Sequence, residues 1–190
     1  MRHLKLVLML FTLMAAFCAS TAQAALVAYT YTGNNFNSIS GTGITTSDLL
    51  SGSIIVDCGL LGGGGDCTSL PLANYIPAIT NFSFSGAGVT IDDSTSFLLV
   101  GMFSTDATGM IIDWNIQSQN AVPSFATISG PSCYTFYDSC DQLSILDGTG
   151  FTFDDPGTWS TTVVPIPAAV WLFGSGLLVL FGISRREKPA

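Results

Sequence analysis

Basic residues are missing from most of this sequence. Residues 25–184 contain no Lys, Arg or His, since the five Lys and Arg and the single His all lie nearer the two ends. The same stretch has twelve Asp and no Glu, which gives it a formal charge of −12. An anionic surface repels phosphate, so we expect no nucleic acid partner and no attraction to acidic lipid headgroups.

The missing bases also limit catalysis. A Ser–His–Asp or Cys–His site needs an imidazole or amine to accept the proton of the nucleophile, and a His-containing zinc site needs imidazole ligands. An enzyme built on carboxylates alone is the remaining alternative, with Asp92–Asp93 and Asp154–Asp155 as its pairs. Neighbours along a strand point to opposite faces and both pairs lie beside turn residues, so we interpret them as solvated loop acids. We predict that the protein is not an enzyme and uses no cofactor.

The first 24 residues have the pattern of a secretory signal peptide. Arg2 and Lys5 form a basic start, residues 6–17 are apolar, and Ala22 and Ala24 occupy the small-residue positions of an A-x-A cleavage site. We therefore predict cleavage after Ala24 and export through the inner membrane.

Five cysteines are present, and one of them lies in this leader. A lipoprotein signal would need a small residue before Cys18, where Phe17 stands, so we do not expect lipidation. The other four form an even set in an exported chain, which predicts disulfides with three possible connectivities. The short spacings favour two local bridges and lack the C-x2–4-C pattern of a zinc site. The favoured pairs are Cys58 with Cys67 and Cys133 with Cys140.

The C-terminal end has a long uncharged run. Residues 163–183 hold no charged side chain, and a helix of that length spans about 30 Å, the thickness of a bilayer core. Arg185, Arg186 and Lys188 follow at once, which places this end in the cytoplasm and the preceding chain outside. A buried core helix seldom runs so long without a charge and then ends in a basic cluster, so we predict a transmembrane helix rather than a core helix. A plain tail anchor is the other alternative.

The order of motifs in this tail is specific. Residues 164–169 read VPIPAA, the apolar run contains WLFGSGLL, and a pair of arginines closes it. This tail resembles the PEP-CTERM class of C-terminal sorting signals in its VPxPA-type variant, although Ile166 stands where the name-giving triplet has Glu. The resemblance implies an exosortase, a membrane protease that recognises the tail and removes the helix. The residues that carry the resemblance are Val164, Pro165, Ile166, Pro167, Ala168, Arg185 and Arg186.

Between these ends, residues 25–162 predict a single all-β domain, a β-sandwich or jelly roll. The stretch is rich in Gly, Ser and Thr, with β-branched and aromatic residues in short alternating bursts, and has no convincing helical period. Residues 33–46 predict a turn-rich connection and residues 96–103 a strand buried on both faces. The predicted strands are residues 26–32, 53–57, 80–85, 96–103, 109–117, 124–129, 133–137, 150–153 and 159–164. The predicted shared faces are Val27 with Tyr29 and Tyr31, Ile54 with Val56, Phe82 with Phe84, and Ile112 with Trp114 and Ile116.

These features predict a non-enzymatic exported protein that spans the inner membrane transiently and then reaches the cell surface or the extracellular matrix. The PEP-CTERM resemblance implies an association with exopolysaccharide and biofilm. A glycan-binding sandwich, with or without Ca²⁺, is the alternative. Its candidate Ca²⁺ ligands lie in residues 138–141 and 147–155, and its candidate sugar-stacking side chains are Tyr134, Tyr137 and Trp159.

Overall fold

The structure is a computed structural model, and it describes residues 26–61, 67–118, 122–130 and 139–163. These residues form β-strands joined by turns and two short 3₁₀ helices, at Cys58–Leu61 and Ile76–Ala78. The strands are β1 (Leu26–Asn35), β2 (Ser38–Gly41), β3 (Leu49–Asp57), β4 (Ala73–Asn74), β5 (Ile79–Gly86), β6 (Val89–Asp92), β7 (Leu98–Thr105), β8 (Ile111–Ser118), β9 (Ser124–Ile128), β10 (Cys140–Ile145), β11 (Gly148–Phe153) and β12 (Thr158–Val163).

The strands form two antiparallel sheets. The five-stranded sheet has the order β12-β1-β3-β5-β6, and the seven-stranded sheet has the order β2-β11-β10-β9-β8-β7-β4. One hydrophobic core takes side chains from both sheets, as two packed sheets require. The predicted all-β class and its sandwich-like arrangement are confirmed.

The period-two pattern of the sequence predicts the core face of several strands correctly. Along β1, β3 and β5 the buried apolar residues lie two positions apart, and mostly polar residues alternate with them on the outer face. The confirmed inward residues include Tyr29, Tyr31, Ile54, Val56, Phe82 and Phe84.

Aromatic side chains join the sheets across the core. The ring of Phe84 on β5 stacks on that of Phe125 on β9, with ring centroids 4.1 Å apart. The ring of Tyr31 lies 4.9 Å from Trp159, which meets Trp114 edge-on. Such pairs add about 0.5 to 1.5 kcal/mol each beyond the area they bury. Aromatic packing therefore supplies much of the contact between the sheets.

Two predicted faces are wrong. Ile112 is 59% exposed, because β8 has a bulge at its start that pairs Ile111 with Thr105 and turns Ile111 inward instead. The strand predicted to be buried on both faces, residues 96–103, has Leu98 buried but Leu99 about half exposed. That segment lies in the seven-stranded sheet, whose outer face is not covered at this point.

Four of the described strands were not predicted from the sequence. Ser38–Gly41 lies in the predicted turn-rich connection, and all four of its residues are exposed, so the segment has no apolar face to detect. Val89–Asp92 follows a two-residue turn in which Ala87 and Gly88 both have positive φ, without the Asn-Gly pair that usually marks such a hairpin. Ala73–Asn74 is too short to show a pattern, and Cys140–Ile145 mixes polar and apolar residues.

The first predicted disulfide is confirmed. Cys58 and Cys67 are bonded, with their Cα atoms 5.2 Å apart, and both are buried. Cys140 is also disulfide-bonded, but Cys133 lies outside the described residues, so that pairing stays a prediction.

The leader, residues 1–24, lies outside the described residues, and so does the predicted sorting tail, residues 163–190, apart from Val163, which ends β12. In the part of the chain that is described, no helix has the length and apolarity needed to cross a membrane.

Candidate functional site

A carboxyl group lies in the interior of the sandwich. Asp141 is on β10 and has no exposed surface. In the sheet register it lies between Thr127 on β9 and Thr152 on β11, which are also buried. Directly opposed residues of neighbouring strands point to the same face, so these three side chains form a polar row on the inner face of the seven-stranded sheet.

The polar row is bonded to the other sheet. The hydroxyl of Tyr31 on β1 donates to Oδ1 of Asp141 across 2.6 Å and accepts the backbone N–H of Gly157 across 2.7 Å. Beside them the indole Nε1–H of Trp114 donates to the hydroxyl of Thr127 at 2.8 Å. Buried polar groups are costly unless they are paired, so this network fixes how the two sheets meet.

One oxygen of the carboxyl has no partner. Oδ2 of Asp141 is buried, has no hydrogen-bond partner among the described residues and points at Gly33, where a Cβ atom would lie only 2.6 Å from it. Burial raises the pKa of Asp141 from 3.8 to about 6, although hydrogen bonds from Tyr31 and Thr127 lower it. Burial and the adjacent Asp141 also raise the pKa of Tyr31 far above its usual value. The site therefore holds a carboxyl that changes charge near pH 6.

The sequence predicts Asp141 in a loop, among candidate Ca²⁺ ligands, and the loop placement is wrong because Asp141 lies on β10. The signal that could have located it is the alternation in CDQLSI, which puts Asp141 on the same face as Leu143. Leu143 is fully buried, so a strand through this segment buries the aspartate as well.

The surface residues Asp92 and Asp106 stabilise turns through side-chain hydrogen bonds. Oδ1 of Asp92 accepts bonds from the backbone and hydroxyl groups of Ser94 and Thr95, and Oδ1 of Asp106 accepts bonds in the same way from Thr108. These bonds favour the charged forms and lower the pKa of both carboxyls. Asp93 accepts from Asn81.

The outer face of the five-stranded sheet is lined with hydroxyl groups. Two adjacent cross-strand rows of outward residues carry them, beside a further row that includes Ala28 and Ile55, and all ten members of the two rows are exposed or half-buried. Nine carry a hydroxyl, and the tenth is the turn-holding Asp92. One row is Thr158, Thr32, Ser51, Ser85 and Thr90, and the other is Ser160, Thr30, Ser53, Ser83 and Asp92. We call this surface the hydroxyl face.

The described residues among those predicted to bind sugar or Ca²⁺ form no such site. Trp159 is only 6% exposed and packs in the core, so it is not a surface stacking platform. Tyr134, Tyr137 and Asp138 lie outside the described residues. Among the residues that are described, no group of three or more His, Cys, Asp or Glu is placed to hold a metal ion.

A shallow depression lies beside the Cys58–Cys67 disulfide. It has a volume of about 200 Å³ and is lined by both apolar and polar groups, including Leu60, Leu61 and Tyr75. Small-molecule sites usually enclose about 300 Å³ or more, so this depression is too small for a typical ligand.

Comparison with protein-family models, with curated proteins and with solved structures finds no match to this chain.

Proposed function

We propose that this protein is an exported, non-enzymatic protein of the cell surface or extracellular matrix, processed by an exosortase and associated with exopolysaccharide. The observation that carries the proposal is the order of features in residues 163–190, where a proline motif, an uncharged run and a basic end follow one another. The leader in residues 1–24 supports export, since it has all three parts of a signal peptide.

The distribution of charge supports the same topology. Every Lys and Arg lies at one of the two ends that would face the cytoplasm, and the whole segment between them is free of cations. That segment contains the β-domain, which has no imidazole or side-chain amine to serve as a catalytic base. A binding or structural role therefore suits it better than an enzymatic one.

The strand order brings the two ends of the domain together. Val27 on β1 and Val163 on β12 are direct partners in the five-stranded sheet. The predicted cleavage site after Ala24 therefore lies just before β1, which begins at Leu26. The proline motif begins at Val164, directly after the last residue of β12. Pro165 and Pro167 disfavour helix, so we expect an extended segment that suits a protease cleft.

Mass spectrometry of the exported product tests the proposal. The full chain is expressed in a host with an exosortase and in the same host without it. We expect loss of residues 1–24 in both hosts, and loss of the segment around Trp171 only where the exosortase is present. A variant with Arg185→Gln and Arg186→Gln should keep that segment, whereas Lys5→Gln serves as a control in the leader. An exported product that keeps residues 171–186 in the exosortase host contradicts the proposal.

The hydroxyl face favours a second candidate function, binding of an uncharged polysaccharide. Surfaces of soluble domains usually carry charges of both signs, but these two rows contain one charged residue, Asp92. Strand spacing makes each row about 19 Å long, with the rows about 7 Å apart. Eight of the nine hydroxyl groups make no hydrogen bond within the described part of the chain and are free to bond to the hydroxyls of a sugar chain.

Gel electrophoresis through neutral polysaccharides tests this candidate. We expect dextran or a soluble β-glucan to retard the protein, and anionic alginate to leave it unaffected. Ser53→Ala with Ser83→Ala removes two central hydroxyls and should weaken binding about thirtyfold, since each hydrogen bond contributes about 1 kcal/mol. The matched control is Ser40→Ala with Ser104→Ala on the other sheet. No retardation by any neutral polymer, or equal retardation of both variants, rejects this surface as the site.

A further inference from the structure

The last strand reaches the sheet through a short loop, residues 154–157, that lies on β1. On the inside, Gly157 donates to the hydroxyl of Tyr31 and packs against the carbonyl of Thr32, with no room for a Cβ atom. On the outside, the amide of Asn34 donates to Oδ1 of Asp155 at 2.9 Å and lies 3.3 Å from the carbonyl of Pro156. Two contacts therefore anchor the loop, one buried and one exposed.

The strand that follows this loop is an edge strand. β12 has six residues, and within the described chain it pairs with β1 alone. Its principal buried side chain is Trp159. An edge strand that pairs on one side only is the kind of element that opens locally before the rest of a domain unfolds.

Asp141 lies beneath the buried anchor. The titratable groups that face it are Tyr31 on β1, which donates to Oδ1, and Asp155 on the loop, whose charge opposes its ionisation. The neighbours on its own sheet, Thr127 and Thr152, are uncharged. No cation exists in residues 25–184 to neutralise an ionised carboxylate, and Oδ2 already lacks a donor.

We propose that Asp141 is a pH-sensitive latch for β12: the neutral carboxyl keeps the 154–157 loop and β12 docked, and its ionisation promotes their local detachment. The buried form of the carboxylate is unfavourable because it has an unpaired oxygen and a like charge nearby. Opening the loop removes Asp155 and admits water to Oδ2. The rise of the pKa of Asp141 to about 6 places the change within the range that an exported protein meets. This latch is independent of whether the tail is a sorting signal.

Native-state hydrogen exchange of the full chain, followed by mass spectrometry and corrected for the intrinsic pH dependence, tests the latch. With a pKa near 6 when closed and near 3.8 when open, residues 158–163 should open about tenfold more often at pH 8 than at pH 5. Asp141→Asn should remove this dependence. Asp147→Asn makes the same charge change in an exposed turn and should keep it.

A second variant keeps the test decisive if Asp141→Asn does not fold. Tyr31→Phe removes a bond that lowers the pKa of Asp141 in the closed state, so opening should continue to increase up to a higher pH and by a larger factor. The latch is overturned if opening of residues 158–163 is the same at both pH values in the unmodified protein. It is also overturned if Asp141→Asn keeps the dependence, or if Tyr31→Phe does not increase the ratio of opening at pH 8 to opening at pH 5.

Discussion

Tyr31 and Asp141 join the two sheets through a single buried hydrogen bond of 2.6 Å between side chains that are 110 residues apart in sequence. Neither side chain has exposed surface, and one oxygen of the carboxyl remains unpaired. The bond therefore fixes how the sheets meet, and it leaves the domain with a buried acid that has no counter-ion.

The first prediction concerns stability and pH. The pKa of Asp141 is about 6 in the folded protein and near 3.8 in an unfolded chain, so the folded state binds more protons between these values. Stability is therefore fully present below about pH 4 and is lost as the pH rises through 6. The expected loss in the free energy of unfolding from pH 5 to pH 8 is about 1 to 2 kcal/mol. Urea unfolding at a series of pH values measures it.

The surface carboxyls of Asp92 and Asp106 change the stability with pH in the opposite direction to Asp141. The lowered pKa values of Asp92 and Asp106 add stability that is lost as the pH falls below their ordinary range. Stability should consequently be greatest in mildly acidic solution, near pH 4 to 5. Asp141→Asn should flatten the curve above pH 5, and Asp147→Asn should not. A curve that rises from pH 5 to pH 8 contradicts the prediction.

The second prediction concerns Gly33. A Cβ atom there would collide with Oδ2 of Asp141 and with the carbonyl oxygen of Leu50, which is backbone and cannot move aside. Gly33→Ala should lower the free energy of unfolding by about 1 to 3 kcal/mol, the usual range for overpacking. Gly130→Ala is the control, because a Cβ atom there meets only Asp113 at an ordinary 3.8 Å. Equal stability of the two variants would show that the contact around Asp141 is looser than described.

The third prediction tests the bulge of β8. Ile111 is buried and Ile112 is 59% exposed. Because the two are adjacent residues of the same type, their side chains alone do not show which of them faces the core. Ile111→Ala should cost about 2 to 5 kcal/mol of unfolding free energy, and Ile112→Ala about 0.5 kcal/mol or less. Thermal unfolding of the two variants side by side measures the difference. If Ile112→Ala proves the more damaging, the strand follows the simple alternation instead.

The regular strands could be predicted because alternation alone determines which side chains they bury. Phe82 and Phe84 lie inward with polar residues between them, and no long-range information is needed to see it. Ile112 could not be predicted, since a bulge depends on the pairing of β8 with β7 and leaves no mark in the local pattern.

The polar site was harder to predict for a different reason. Asp is normally a turn residue, and six of the ten Asp residues that the structure describes lie outside the strands, so composition gives Asp141 no distinction. Its burial depends on Tyr31 and Gly157, which lie far away in sequence and meet it only in the folded sandwich. The hydroxyl face likewise appears only once the register aligns residues from five strands.

The last prediction concerns the disulfide between Cys58 and Cys67. The bond closes a short loop at the end of β3, and in the chain-entropy account a loop of this size stabilises the fold by about 2 to 3 kcal/mol. Replacing both cysteines with alanine should lower the unfolding free energy by that amount, because Cys58 and Cys67 are buried and alanine fills most of their space. A single Cys58→Ala variant should be at least as unstable and should gain one free thiol, which a thiol-reactive dye counts. If the double variant unfolds at the same urea concentration as the unmodified protein, the loop is held by its other contacts, such as the bonds of the Thr105 hydroxyl with the backbone of Cys67 and Leu70.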